Sequence, residues 1–113
     1  MITQKIKVNL IPDGVAPELH CSKGDNLSRT FLLDLYAGDE PFTIPLGATV
    51  FFQGTTKDGT TFQKTCEFSG NEVTTEITSE MTGSSGRAVA ELAILADQEL
   101  IHSQNIILKV EGL

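Results

Sequence analysis

The sequence predicts an all-β protein, an antiparallel β-sandwich of about seven to eight strands. Apolar and polar residues alternate with a period of two along several segments, which is the pattern of strands with one buried face. Turn-forming residues separate these segments roughly every ten residues, whereas an α/β fold would require intervening helices. The 113 residues suffice for one hydrophobic core, so residues 1–113 are expected to form a single domain.

The first third of the chain contains two long predicted strands and a shorter one. Ile2–Leu10 alternates in this way and ends at the turn formers Pro12–Gly14. A short segment, Glu18–Ser22, precedes a second cluster of turn formers, Lys23–Asn26. Leu27–Tyr36 is the next long strand, and its apolar face is predicted to include Leu27.

Two prolines and an Asp-Gly pair organise the middle of the chain. Pro41 and Pro45 lack a backbone N–H, which confines the segment between them to a sheet edge or a loop. A strand is predicted over Ala48–Thr55. Lys57–Thr60 contains the Asp-Gly pair typical of a two-residue hairpin turn, so Thr61–Phe68 is expected to return antiparallel.

The last third is predicted to contain a strand, a loop and a closing hairpin. Glu72–Thr78 is the strand, and the small polar residues of Ser79–Gly86 indicate a loop. Arg87–Ile101 combines helix-favouring composition with strand-like alternation. The alternating segment Leu100–Val110 that follows it favours a strand, with Asp97–Glu99 as the hairpin connection.

Composition and charge exclude several classes of partner. With 15 acidic and 8 basic residues the formal net charge is −7, which repels nucleic acid and anionic membrane surfaces. No stretch approaches the roughly 20 apolar residues of a membrane span, and we expect no export signal at the N-terminus. Cys21 and Cys66 can form one disulfide or stay free; free, buried thiols are favoured, consistent with folding in the cytosol.

The sequence predicts no enzyme, no cofactor and no metal site. His20 and His102 are the two histidines, and with Cys21 and Cys66 they lack the close ligand pairs of structural zinc sites. Paired carboxylates for glycoside hydrolysis remain an alternative that sequence does not test. Calcium is disfavoured because the acidic turn residues do not follow the spacing of an EF-hand loop. These acids are interpreted as turn formers: Asp13, Asp25, Asp39 and Asp58.

Arg29 is the candidate binding residue, because it interrupts the apolar face of a predicted strand. Such an arginine either pairs with a nearby acid or reaches a partner protein. Asp25, four residues earlier, is the acid that we expect it to pair with, and this structural role is favoured. Contact with a partner is the alternative.

Several short motifs together resemble the N-terminal domain of siphophage baseplate upper proteins. Each is only a turn or strand signature, but their order and spacing match over nearly the whole chain. They are Lys23-Gly-Asp-Asn26, the apolar run Arg29–Tyr36, Pro41-Phe42, Leu46-Gly-Ala-Thr-Val50, Lys57-Asp-Gly59, Ile77-Thr78, Met81, Gly86 and the terminal strand Ile106–Val110.

The resemblance implies a structural module of a phage or prophage tail that attaches receptor-binding parts to the central hub of the tail. It implies contacts with other tail or baseplate proteins, the distal-tail hub among them, and homo-oligomers within the assembled baseplate. The location would be the virion tail, with the host bacterial cytoplasm as the place of assembly. In that family the domain is followed by a helical linker and a distal part, so this chain is expected to be the N-terminal module of a longer protein. The alternative is an unrelated immunoglobulin-like adhesion or binding module.

Overall fold

A computed structural model describes residues 1–12 and 14–112 of the chain. Asp13, part of the first predicted turn, and the terminal Leu113 lie outside the described residues. The regular structure of the described part consists of β-strands, which confirms the all-β prediction. Their bounds are β1 Ile2–Asn9, β2 Glu18–Ser22, β3 Arg29–Ala37, β4 Glu40–Pro41, β5 Thr49–Thr55, β6 Thr61–Ser69, β7 Glu72–Glu76, β8 Gly86–Ala96, β9 Glu99–His102 and β10 Ile106–Glu111.

The strands form one mixed sheet that curls into a nearly closed barrel. The order is β1-β3-β7-β6-β5-β8-β10-β2, with β4 paired to β3 and β9 paired to β8. β6 joins the two halves, because its first residues pair with β5 and its last three pair with β7. The wholly antiparallel sandwich of seven to eight strands is therefore wrong in its strand count, its closure and the direction of two pairings.

Those two pairings are parallel: β1 with β3, and β2 with β10. The cause is the path of β2, which leaves the half containing β1 and pairs at the far edge of the other half. The chain then returns, and β3 runs alongside β1 in the same direction. Alternation of side chains does not encode this excursion, since it reports only which face of a strand is buried.

β1 and β2 are the two edges of this sheet, and the Gln4 side chain bridges the seam between them. The Gln4 amide donates to the His20 backbone oxygen, and the His20 N–H donates to Gln4 Oε1 over 2.9 Å. At the other end of β1, the Gln104 N–H donates to the Asn9 oxygen over 2.8 Å, and the Asn9 N–H donates to Gln104 Oε1 over 2.9 Å. The Gln4 amide thus takes the place of a peptide group of a neighbouring strand, and Gln104 Oε1 takes the place of a backbone carbonyl oxygen.

A bulge separates β9 from β10 and positions Gln104 for this role. β8 pairs with both strands, but the register shifts by one residue between the pairs Ala93–His102 and Ala90–Ile106. The extra residue bends the strand, as bulges do at barrel rims. The predicted closing hairpin is present, with Asp97 at φ 55° in its turn, but the single predicted strand Leu100–Val110 is divided by this bulge.

The core fills the barrel, and it follows the predicted alternation. Phe31 and Phe52 lie edge to face with ring centroids 6.5 Å apart, and Phe62 packs on Phe52 at 5.7 Å. Two residues predicted on apolar strand faces are exposed instead: Ile2 at the start of β1, and Leu27, which has φ 59° because it belongs to the turn before β3. The Asp-Gly turn between β5 and β6 also differs, because five residues, 56–60, connect the paired Thr55 and Thr61.

Gly54 marks the closest approach between β5 and β8. A Cβ atom at this position would lie 2.3 Å from the Val89 backbone oxygen and 2.8 Å from the Ala90 Cα. Both obstacles are backbone atoms, which move only with the whole strand. The glycine therefore permits the close pairing of β5 with β8.

We predict that Gly54→Ala lowers the free energy of unfolding by about 2 kcal/mol or more, because the strands must separate to admit the methyl group. Chemical denaturation followed by circular dichroism measures this change. Gly83→Ala is the matched control, since its Cβ would meet nothing closer than the Ser79 oxygen at 3.7 Å. Equal stability of the two variants would contradict the assigned role of Gly54.

We also predict that Gln4→Ala weakens the seam and lowers the free energy of unfolding by about 1 kcal/mol, because two hydrogen bonds to partly solvated backbone groups are lost. Native-state hydrogen exchange at the His20 amide reports the effect locally. Gln4→Glu keeps the acceptor for the His20 N–H and removes the donor, so its effect should be smaller. Unchanged exchange at His20 in Gln4→Ala would disprove the bridge.

Candidate functional site

Arg29 lies at the start of β3 and pairs with Asp25, as the structural alternative predicted. Its Nε lies 2.6 Å from Asp25 Oδ2, and the same oxygen accepts the Ser22 N–H over 2.8 Å. One carboxylate thus links the end of β2, the turn after it and the start of β3. The Arg29 hydrogen bond holds the pKa of Asp25 below its ordinary value.

The same turn is tied to the long β7–β8 connection. Thr82 Oγ1 donates to the Asp25 backbone oxygen over 2.8 Å, and the Gly24 N–H donates to the Thr82 oxygen over 3.2 Å. The Ser79 N–H donates to Asn26 Oδ1 over 3.0 Å. Arg29 therefore lies beside two loops that are hydrogen-bonded to each other, with a fifth of its side chain exposed. Contact of Arg29 with a partner protein stays a prediction.

The cysteines and histidines do not converge on one site. Cys21 and Cys66 are free and buried, as favoured from sequence, and the two histidines are exposed on the outer surface. Burial raises the pKa of Cys21 to about 11 and also raises the pKa of Cys66, so both thiols are protonated at neutral pH. Within the described residues no group of three His, Cys, Asp or Glu is placed to hold a metal ion.

The acidic turn residues that the structure describes include two clear turn formers. Asp25 caps the β2–β3 turn as above. Asp58 Oδ1 accepts the Thr56 hydroxyl and, over 3.2 Å, the Thr60 N–H, which closes the loop between β5 and β6. These local hydrogen bonds lower the pKa of Asp58. The carboxylates of Asp25 and Asp58 thus accept hydrogen bonds from backbone N–H groups of their turns, in agreement with the interpretation from sequence.

A ladder of polar side chains crosses the outer face of four adjacent strands, β6, β5, β8 and β9. Gln63 Nε2 donates to Gln53 Oε1 over 3.0 Å, and Gln53 Nε2 donates to Glu91 Oε2 over 3.0 Å. His102 Nε2 lies 3.8 Å from the same Glu91 oxygen. Most of these residues line an open groove of about 510 Å³. Sequence alternation places each on an outer face, but only the register between strands brings them together.

One end of the barrel differs from the rest of the surface. We call it the hairpin end, because the β8–β9 hairpin projects from it. Strand directions also place there the connection after β1, the β3–β4 turn, the loop before β5, the β6–β7 turn and the β9–β10 bulge. Among the described residues, six of the ten exposed large apolar residues belong to this end: Ile11, Val15, Leu46, Leu95, Leu100 and Ile101.

The hairpin end could not be identified from the sequence, since its residues come from six separate parts of the chain. A signal was nevertheless present in those connections. In two of them, the connection after β1 and the loop before β5, apolar residues stand among turn-forming residues: Ile11, Val15 and Leu46. Apolar residues in turns have no strand face on which to be buried, so they are expected at the surface.

Comparison with solved structures shows that a domain of a phage protein has this fold. The match is to the N-terminal domain of phage TP901-1 ORF48, with a TM-score of 0.77 and 12% sequence identity. It covers 98% of this chain and 99% of the matched chain. The predicted resemblance to a phage domain is thereby confirmed for the fold. No family model and no curated protein matches the sequence, and the described residues contain no helix able to span a membrane.

We predict that Arg29→Ala lowers the free energy of unfolding at pH 7 by about 1 kcal/mol, since Asp25 loses its charged partner in a partly exposed setting. Asp25 has a folded pKa below its unfolded value, so the pair contributes fully above about pH 4. The contribution disappears as the pH falls through the lowered folded pKa. Denaturation of wild type and variant from pH 7 down to about pH 2 should show the difference narrowing.

The partner alternative for Arg29 has its own readout. If Arg29→Ala leaves the melting temperature unchanged but weakens binding to a tail protein, Arg29 is a contact residue and its pairing with Asp25 is incidental. Asp25→Asn separates the two roles, because it weakens the pair and keeps the arginine. No effect of Arg29→Ala on either stability or binding would discard Arg29 as a special residue.

Proposed function

We propose that this protein is a structural attachment module of a phage or prophage tail baseplate, which links receptor-binding parts to the tail hub through protein–protein contacts. The observation that carries the proposal is the fold shared with a phage domain over almost the full length of both chains. The order of short motifs in the sequence, which resembles baseplate upper proteins, points in the same direction independently of the coordinates.

The proposed role needs no catalysis and no cofactor. The hydrogen-bonded side chains of Gln4, Gln104, Asp25 and Arg29 all tie together strands or loops of the barrel. The exposed apolar residues of the hairpin end are of the kind that protein interfaces bury. We therefore propose that the protein is not an enzyme and that it acts within the virion tail, after assembly in the host cytoplasm.

An immunoglobulin-like adhesion module is the alternative function. That architecture packs two separate antiparallel sheets face to face. Here β6 is shared between the two halves, both ends of the strand order are parallel pairs, and the edges β1 and β2 are bridged. This topology favours the tail module over the adhesion module.

Size-exclusion chromatography with light scattering tests the proposal. The protein is run alone and mixed with the distal-tail protein encoded by the same phage or prophage, at tens of micromolar, well above a structural Kd of about 1 μM. We expect a complex of defined mass. Separate elution of the two proteins would contradict attachment to the hub. An all-β protein of similar size and net charge, mixed in the same way, controls for nonspecific association.

A further inference from the structure

The hairpin end offers an open strand edge beside its exposed apolar side chains. Within the part of the chain that the structure describes, β9 pairs with β8 alone, and all four of its residues are exposed. The Ser103 N–H donates to the Leu92 oxygen over 2.9 Å, which fixes the alternation of backbone hydrogen bonds. By that alternation Leu100 and His102 direct their N–H and C=O groups away from β8. An added strand would find these groups unpaired.

The apolar side chains continue from this edge across the end of the sheet. Leu100 is opposite Leu95 on β8, and Leu95 is opposite Thr49 on β5, so the three lie in one row. Leu46, at 97% the most exposed large apolar residue, lies in the loop immediately before β5. An edge strand and an adjacent apolar surface are the two features that strand addition uses, for backbone pairing and for side-chain specificity.

The charged residues of the hairpin end indicate what kind of partner protein would bind there. Asp39, Glu40, Asp97 and Glu99 are all exposed at the hairpin end, whereas the described residues of its connections include no Lys or Arg. The opposite end is mixed, because several basic residues stand there among acids. These basic residues are Lys23, Arg29, Lys57, Arg87 and Lys109. Near this end, Lys7 of β1 lies over the Tyr36 ring, 4.1 Å from its centroid. The hairpin end is therefore an apolar surface whose described connections carry acidic residues, which we call the acidic rim, and no basic one.

We infer that the hairpin end is the docking surface of this module, and that its occupant is an extended segment of another tail protein with apolar and basic side chains. The segment adds a strand to the open edge of β9, and its apolar residues cover Leu100, Leu95 and Leu46. Its Lys or Arg residues face the acidic rim. A second copy docking through the same end would bring the two acidic rims together, which like-charge repulsion opposes.

This inference rests on the proposed function, and one experiment separates the two. Affinity for the distal-tail protein of the same phage or prophage is measured by isothermal titration calorimetry for the wild type and for two hairpin-end variants, Leu100→Ser and Glu99→Lys. We expect each variant to bind about tenfold more weakly. Affinity of the wild type should also fall as salt is raised, because the rim charges are screened.

Matched controls stand at the opposite end. Leu27→Ser removes a leucine of similar exposure, 52% against 57% for Leu100, and Glu80→Lys reverses an exposed acid. Both should bind within about twofold of the wild type. All four variants should keep the wild-type melting temperature to within a few degrees, because the altered side chains are exposed.

Each other result has a definite meaning. If the wild type binds and the hairpin-end variants bind equally well, or if the control variants alone weaken binding, the docking surface is wrong and the proposed function stands. If the wild type does not bind, attachment to the hub fails, and the inference fails with it. If the wild type forms a dimer that Leu100→Ser dissociates, the occupant is a second copy, and the assignment to a basic partner segment is overturned.

Discussion

The excursion of β2 across the barrel is the constraint on which the rest of the structure depends. Since β2 pairs with β10 on one half of the sheet while β1 and β3 lie on the other, the two edges of the sheet come to face each other. Backbone pairing between β1 and β2 is replaced by the Gln4 amide, while Gln104 ties the end of β1 to the β9–β10 bulge. Glutamine suits this role because its amide both donates and accepts, as a peptide group does.

Closing the seam has a consequence for the turn that follows β2. The chain must reverse after Ser22 and enter β3 on the opposite half of the sheet, which strains the connection: Leu27 has φ 59°, a conformation that costs a leucine free energy. The Arg29–Asp25 pair and the Thr82 hydroxyl hold this reversal in place. The arginine that interrupts an apolar strand face in the sequence is thus explained by the topology that surrounds it.

Alternation predicted most of the strands and their buried faces, because burial of one face acts on each strand separately. Phe31, Leu33 and Leu35 are completely buried, as are Ile106 and Leu108. The pairing partner of each strand could not be predicted from the sequence, since the same alternation fits parallel and antiparallel neighbours. The Gln63–Gln53–Glu91 ladder and the hairpin end depend on register and strand order, and so no sequence pattern of a single strand revealed them. The Asp25–Arg29 pair could be predicted from the sequence because the two residues are only four positions apart.

The way in which each strand edge of the sheet is covered or left open links the fold to its proposed role. The edges of β1 and β2 are bridged to each other, and β4 is only two residues long. β9 is the described strand that combines an open edge with exposed Leu100 and Ile101. An open, apolar edge strand can pair with a strand of another chain and cause aggregation unless charged residues oppose this pairing. Glu99 on the strand and Asp97 in its turn place acids beside the apolar side chains, and like charges at such an edge oppose the docking of a second copy. In the proposed complex a basic segment is attracted by the same acids, so the charge that opposes self-association also favours the partner proposed to cover this edge.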